Sequence, residues 1–196
     1  MKIPKYLLLL LLMITNSAFA TTVLPVSLES MSKRAEIIFY GKTVSNEVKM
    51  DNMSNRVATF TTFKIIENIK GITNATHTIK QVGGQIPGSK IVHRIHGVPR
   101  FTIDEEYIVF LPAKSTLGFT SPIGLGQGKF SVYKQNGIKM VSNGRAVKSM
   151  IISGKTKADL SSVEIQALNA LRPIEDQTNK TGLTEFIKIV SSLSRK

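Results

Sequence analysis

The chain of 196 residues contains no cysteine and no tryptophan, and its acidic residues number only 13 against 26 lysines and arginines. The absence of cysteine excludes a disulfide framework, a thiol nucleophile and a cysteine-ligated zinc site. Any folded domain of this chain must therefore be stabilised by burial of its side chains alone.

Long hydrophobic runs are also missing. The most apolar segment, residues 6–14, would span roughly 14 Å as a helix, about half of a bilayer's hydrocarbon core. It follows Lys2 and Lys5 and precedes Ala18-Phe19-Ala20, a small-x-small cleavage pattern. These features predict a signal peptide over residues 1–20 and a mature start at Thr21. We therefore expect a soluble protein that is exported to the periplasm or secreted and does not span a membrane after cleavage.

The charge balance favours anionic partners. Removal of Lys2 and Lys5 leaves 24 basic residues against 13 acidic ones, a net charge of +11. Such a charge suits an acidic protein, an anionic polymer or lipid headgroups, although solubility alone is also served by it. The basic residues are scattered and form no run of five or six, so a nucleic-acid-binding tail is not expected.

Apolar alternation predicts a mainly β protein with a few short helices. Asn136-Gly137 lies between two apolar segments, which is typical of a tight hairpin, and residues 46–55 read as a polar turn. A change of apolar phase between Phe60 and Phe63, together with Gly41 inside the first strand, indicates bent strands. The predicted strands are residues 36–44, 56–66, 76–82, 106–111, 129–133 and 138–141, and the predicted helices are residues 28–35, 162–171 and 183–193.

Short bent strands with glycine at the corners favour a small OB-like β-barrel over a sandwich. The expected organisation is a β-barrel domain over residues 21–145, with a short N-terminal helix, and a helical C-terminal extension over residues 146–196. A further short edge strand is predicted over residues 118–123.

The most unusual segment is a long loop rich in glycine and proline, residues 83–105, which precedes the dense apolar strand at 106–111. We refer to it as the 83–105 loop. Loops held between rigid strands commonly carry binding residues, so this loop is the predicted contact surface. Its candidate binding residues are His93, Arg94, His96, Arg100 and Glu105, and the accompanying structural motif comprises Gly83, Gly84, Gly97, Pro99, Phe101, Gly126 and Gly128.

The same loop allows two chemical alternatives. His93 and His96 form an H-x-x-H pair, which can ligate a metal, but on a strand these two positions point to opposite faces. A hydrolase would pair Glu105 or Glu106 with His93 or His96 as acid and base, and this requires the side chains to converge on one pocket. We predict no metal, no cofactor and no catalytic residue.

Several segments together resemble a group of small exported bacterial proteins with no assigned activity. They are residues 28–44 (LESMSKRAEIIFYGKTV), residues 59–71 (TFTTFKIIENIKG) and the segments GGQIPG, HGVPRF, EEYIVFL and GLGQGKFSVY. Gly97, Pro99 and Phe101 match the G-x-P-x-F element of that pattern, and Glu105 matches its glutamate, while Asp104 stands where glycine is usual. The resemblance implies export and a shared fold up to about Val141.

A weaker similarity is to netrin-like OB barrels, which include tissue inhibitors of metalloproteinases. It is carried by residues 35–44 and by the turn at residues 69–71. Those inhibitors chelate the zinc of their target with an N-terminal cysteine, whereas Thr21 stands at the expected mature start. We therefore expect a non-enzymatic exported binding module, with inhibition of a secreted protease, or an accessory role to one, as a narrower version and a basic binder of anionic polymer or lipid as an alternative.

Overall fold

The computed structural model describes residues 24–71, 74–171 and 180–195. The predicted signal peptide, residues 1–20, and residues 172–179 of the predicted C-terminal extension lie outside the described residues. None of the helices in the described part is long and apolar enough to cross a membrane.

The chain is mainly β, as predicted, and its strands form one antiparallel sheet in the order β3-β2-β1-β4-β5-β6-β7. The sheet is not closed, so the prediction of an OB-like barrel is not confirmed: β3 and β7 are its two edges. The strands are β1 (Ile37–Asp51), β2 (Arg56–Lys70), β3 (Thr76–Val82), β4 (Glu106–Leu111), β5 (Lys129–Gln135), β6 (Ile138–Ser142) and β7 (Thr181–Gly182).

The β1–β2 hairpin is longer than predicted. Residues 46–51, predicted as part of a turn, continue β1, and only residues 52–55 turn. The side chain of Asp51 caps this turn by accepting hydrogen bonds from the backbone N–H and the hydroxyl of Ser54, at 2.9 and 2.6 Å. The polar residues 46–51 form strand rather than turn because each of them has a partner residue on β2.

Three irregularities bend this hairpin. The pairing skips one residue at Val44 of β1 and one each at Ile66 and Ile69 of β2. The prediction of a bend at Gly41 is confirmed by the register shift beside it, and a Cβ at Gly41 would lie 2.8 Å from the backbone oxygen of Lys64. Bulges of this kind increase the local twist. The far end of the hairpin extends beyond β4, which pairs with β1 only from Ile37 to Lys42.

Within the described residues, four helices cover one face of the sheet. Ser27 caps α1 by accepting a hydrogen bond from the N–H of Ser30, and Ser161 caps α3 in a capping box with Glu164, which confirms both predicted helix starts. The rings of Phe130 and Phe186 lie 4.7 Å apart in this helix-side core. The helices are α1 (Leu28–Arg34), α2 (Val147–Ile151), α3 (Ser162–Ala170) and α4 (Leu183–Ser194), of which α2 was not predicted.

The opposite face carries a second core, built largely of aromatic rings, which we call the loop-side core. It is closed from outside by two connecting segments rather than by helices. Residues 112–123 join the edge strand β3 to β4, since the N–H of Thr120 donates to Lys80 and that of Ile123 to Phe110. The 83–105 loop covers the rest. The buried members of the loop-side core are Phe39, Phe63, Ile79, Phe101, Tyr107, Val109 and Leu111.

Candidate functional site

The first half of the 83–105 loop is anchored to the end of the sheet. Gly84 and His93 exchange two backbone hydrogen bonds of 2.8 and 2.9 Å, which makes residues 84–93 a closed hairpin-like excursion. The hydroxyl of Thr59 on β2 donates to the carbonyl of Gly83 at 2.7 Å. The base of the loop is therefore fixed by backbone pairing and by one strand side chain.

The glycine pair is required by this geometry. Gly83 and Gly84 have φ angles of +92° and +131°, which L side chains rarely adopt. A Cβ at Gly84 would lie 2.6 Å from the side chains of both Thr59 and Val48, and one at Gly83 would overlap the carbonyl oxygen of His93. The pair thus allows the loop to lie directly on the sheet.

The second half of the loop is anchored by Phe101, a residue of the predicted structural motif. Its ring lies edge-on to those of Phe63 and Tyr107, with centroids 4.9 and 5.1 Å away. Its carbonyl accepts a 2.7 Å hydrogen bond from the side-chain amide of Asn46, whose oxygen in turn accepts one from Thr61. The loop is therefore tied to the loop-side core at this point.

Lys129 of β5 adds a further attachment. Its ammonium lies over the rings of Phe101 and Tyr107, at 5.1 and 4.6 Å from their centroids, and donates to the carbonyl of Arg100. Burial lowers the pKa of Lys129, and the charge of Glu105 partly opposes that shift. The cation thus bridges the sheet and the loop.

Between loop and sheet lies a partly open cavity of about 540 Å³. Its floor consists of side chains from β1, β2 and β3, and its roof of residues 92–96 and 98–101. Such a volume accommodates a drug-sized ligand or a few amino-acid side chains. The floor residues are Asn46, Val48, Thr59, Thr61 and Gln81.

Four of the five predicted binding residues border this cavity. His93, Arg94, His96 and Arg100 line it and remain exposed. Glu105 is not among the lining residues: its carboxylate accepts a 2.5 Å hydrogen bond from the hydroxyl of Tyr107. Burial raises the pKa of that hydroxyl, and its hydrogen bond to Glu105 raises it further, so the proton stays on Tyr107 at neutral pH. A binding role for any of the five remains a prediction.

Five of the seven predicted structural residues lie in the 83–105 loop, and the other two lie in a 3₁₀ turn. Gly83, Gly84, Pro99 and Phe101 line the cavity, whereas Gly97 lies outside it. The remaining glycines, Gly126 and Gly128, belong to the 3₁₀ turn Leu125–Gly128. A Cβ at Gly97 would lie 2.5 Å from a methyl group of Leu125, and one at Gly128 would lie 2.8 Å from the carbonyl oxygen of Ile123. The close contact at Gly97 links the loop to this turn.

Neither glutamate of the hydrolase alternative is among the residues that line the cavity. The carboxylate of Glu106 accepts hydrogen bonds from Lys139, at 2.8 Å, and from Tyr40, both outside the cavity. Within the described residues, no hydrogen bond or ion pair joins His93 or His96 to either glutamate. The described part of the chain also contains no group of three side chains suited to holding a metal ion.

The floor of the cavity was not foreseen. Thr59, Thr61 and Phe63 are every second residue of β2 and therefore lie on the same face. Two polar side chains of the cavity floor thus precede a buried aromatic residue on that face. Polar residues on an otherwise apolar strand face are the sequence feature that could have predicted the cavity floor, because polar groups on a covered face need hydrogen-bond partners. Here the partners are the backbone of the 83–105 loop and Asn46.

His77 of β3 gives a testable pH dependence. It lies beside Phe39, with ring centroids 5.8 Å apart, and its buried Nε2 has no hydrogen-bond partner within the described structure. Burial lowers the pKa of His77, and the charge of Lys114 lowers it further. The unfolded chain therefore takes up a proton near pH 6.5 before the folded protein does, and we expect the free energy of unfolding to fall as pH drops below that value.

Chemical denaturation at about pH 7.5 and about pH 5.5 measures this effect. The variant His77→Gln should lose much of the difference between the two pH values, while the matched control His93→Gln, at an exposed position, should retain it. An unchanged pH dependence in His77→Gln would contradict this assignment.

Comparison with protein-family models and with curated proteins finds no match to this chain.

Proposed function

We propose that this protein is a non-enzymatic binding module that contacts a partner protein through the 83–105 loop. The observation that supports the proposal best is the cavity between loop and sheet, with His93, Arg94, His96 and Arg100 at its border. The anchored loop gives this border a defined shape before any partner arrives, which reduces the entropic cost of binding.

Charge supports a partner with acidic character. Among the residues that line the cavity none is aspartate or glutamate, while two are arginines. Nearby Asp104 is paired with Lys42 at 2.7 Å, and Glu105 is engaged by Tyr107. The positive charge at the cavity is therefore not neutralised locally, and it adds to the net charge of the whole chain.

The location of the partner is part of the proposal. The N-terminal sequence is typical of a secretory signal peptide, so we place the protein and its partner outside the cytoplasm, in the periplasm or the extracellular space. An inhibitor or accessory of a secreted protease is the narrower version. In this version the protein acts through the 83–105 loop, since Thr21 stands where the metalloproteinase inhibitors carry their N-terminal cysteine.

The test is affinity capture from the exported fraction of the source cell at moderate salt. Wild-type protein should retain one partner in stoichiometric amount, and Arg94→Ala/His96→Ala should reduce the affinity by about tenfold or more, since arginines at the centre of an interface contribute strongly. Both side chains are exposed, so folding should be preserved. The matched control is Lys188→Ala on the exposed side of α4. Equal capture by all three proteins would contradict the proposal.

A second candidate function is adsorption to an anionic lipid or polymer surface. It is favoured by apolar side chains that the loop exposes beside its cations: Ile91, Ile95 and Ile103 are 65%, 50% and 49% exposed. Binding of this kind weakens steeply with salt. Capture that disappears between low and moderate salt, with no protein partner, would support this alternative over the first.

A further inference from the structure

Among the described residues, nothing pairs with one edge of β1 over about half of its length. β4 pairs with β1 only from Ile37 to Lys42, and Thr43 then exchanges backbone hydrogen bonds with Asp104 and Glu105. From residue 44 to residue 50, β2 occupies one edge, and no described residue donates to or accepts from the backbone on the other. Every second residue of this stretch therefore directs a free N–H and C=O outward.

This free edge borders the cavity. Asn46 and Val48 belong to the unpaired stretch and also form part of the cavity floor. Gly84 lies directly over Val48, and Asn46 holds the carbonyl of Phe101. A strand added along residues 44–50 would thus lie beside the cavity, and alternate side chains of it would face the border that carries Arg94 and Arg100.

We propose that the partner presents an extended acidic peptide segment, which adds to β1 as a further strand along residues 44–50. Its backbone pairs with the free edge, and its carboxylates lie near Arg94 and Arg100. The segment is about seven residues long, since that stretch spans roughly 23 Å at a strand rise of about 3.3 Å per residue. The inference rests on the proposed binding function and specifies the partner's chemistry.

Charge and hydrogen bonding select this occupant. A row of outward N–H and C=O groups is matched by an extended backbone and not by a lipid surface. A second copy of this chain would bring another strongly basic surface to the same place. On the edge itself Glu47 and Lys49 form an ion pair with each other at 2.9 Å, so the arginines of the loop provide the positive charge that remains available.

The experiment uses the full mature chain and a fluorescent peptide of alternating glutamate and valine, about eight residues long. Binding is followed by fluorescence anisotropy, and amide hydrogen exchange is measured at residues 44–50. We expect saturable binding and slower exchange of the outward amides of this stretch. The same peptide with N-methyl groups on alternate amides keeps its charge but cannot complete the ladder, and it should bind about tenfold more weakly or worse.

Two protein variants test the charge. Arg94→Glu should weaken peptide binding by about tenfold, whereas the matched control Lys188→Glu should change it by less than about threefold. Equal affinity for the N-methylated peptide, or unchanged exchange at residues 44–50, would overturn strand addition. Association of the protein with itself at this edge, seen as a dimer by light scattering together with slowed exchange there, would also overturn it. Failure of the peptide while Arg94→Ala/His96→Ala still abolishes partner capture would leave the loop as contact surface and remove only the strand.

Discussion

Replacing Phe101 with alanine is expected to lower the free energy of unfolding by about 3–4 kcal/mol. Phe101 is buried between Phe63 and Tyr107, and Lys129 lies over its ring. The substitution removes this ring from a core that none of the described helices covers, and the cation loses one of its two aromatic contacts. Chemical denaturation measures the change.

The same substitution should loosen the loop before it unfolds the sheet. Because Phe101 is the side chain by which the second half of the 83–105 loop enters the loop-side core, amides of residues 94–101 should exchange faster in Phe101→Ala. Phe60→Ala is the matched control. Phe60 is only partly buried, beneath Lys49, so this substitution should lower the free energy of unfolding by about 1 kcal/mol or less. A loss of similar size in both variants would show that Phe101 has no special anchoring role.

Local sequence signals predicted the turns and helix ends well. Asn136 and Gly137 both have positive φ angles, 50° and 79°, and the hairpin between β5 and β6 is the one expected from their identity. Ser27 and Ser161 cap helices because a hydroxyl next to the first turn satisfies a free backbone N–H wherever it occurs. These features depend on a few neighbouring residues, which is why the sequence discloses them.

Features that depend on distant residues were predicted less well. Residues 46–51 are polar and were expected to turn, yet they form strand because the facing residues of β2 pair with each of them. Sheet closure is also non-local: β3 and β4 lie on either side of the loop-side core, but residues 112–123 bridge them in place of a strand ladder. The alternation of apolar and polar residues within one strand does not show whether the two edge strands of the sheet pair to close a barrel.

The candidate site shows the same division. The Gly83-Gly84 pair and the cations predicted the 83–105 loop as the contact surface, and this loop does line the cavity. The prediction was possible because glycine pairs and proline indicate a loop whatever its surroundings. The floor of the cavity and the position of Lys129 come from four different strands, β1, β2, β3 and β5. The spacing of these residues in the sequence does not show that the fold brings them together. Glu105 is close to the histidines in sequence, but its carboxylate accepts a hydrogen bond from Tyr107, two residues away on β4.

A three-residue charge cluster links α1 to α3. Lys155 donates to Glu29 of α1 at 2.7 Å and to Glu164 of α3 at 2.8 Å. The side chain of Glu164 is fully buried, and it also accepts hydrogen bonds from Ser161. Since a buried carboxylate is costly without a cation, this lysine should be the most sensitive charged residue of the helical layer.

We expect Lys155→Met to lower the free energy of unfolding by about 3 kcal/mol at neutral pH, because it leaves Glu164 buried without a cation. The variant is measured by chemical denaturation beside Lys33→Met. Lys33 also pairs with Glu29, at 2.6 Å, but it is 62% exposed and should cost less than about 1 kcal/mol. Equal losses in the two variants would show that burial of Glu164 does not determine the effect.

Measuring the unfolding free energy of wild type and Lys155→Met over a range of pH tests whether the loss of stability in the variant is electrostatic. Hydrogen bonds from Lys155 and then Lys33 hold the pKa of Glu29 at about 2, below its ordinary value of 4.5. This lowered pKa contributes stability that is fully present above about pH 4.5 and disappears as pH falls towards 2. The gap between wild type and Lys155→Met should therefore be largest near neutral pH and should narrow below about pH 4.5. A gap that stays constant down to about pH 2.5 would assign the loss to packing of the lysine's aliphatic chain instead, and the cluster would then join α1 to α3 through contact rather than charge.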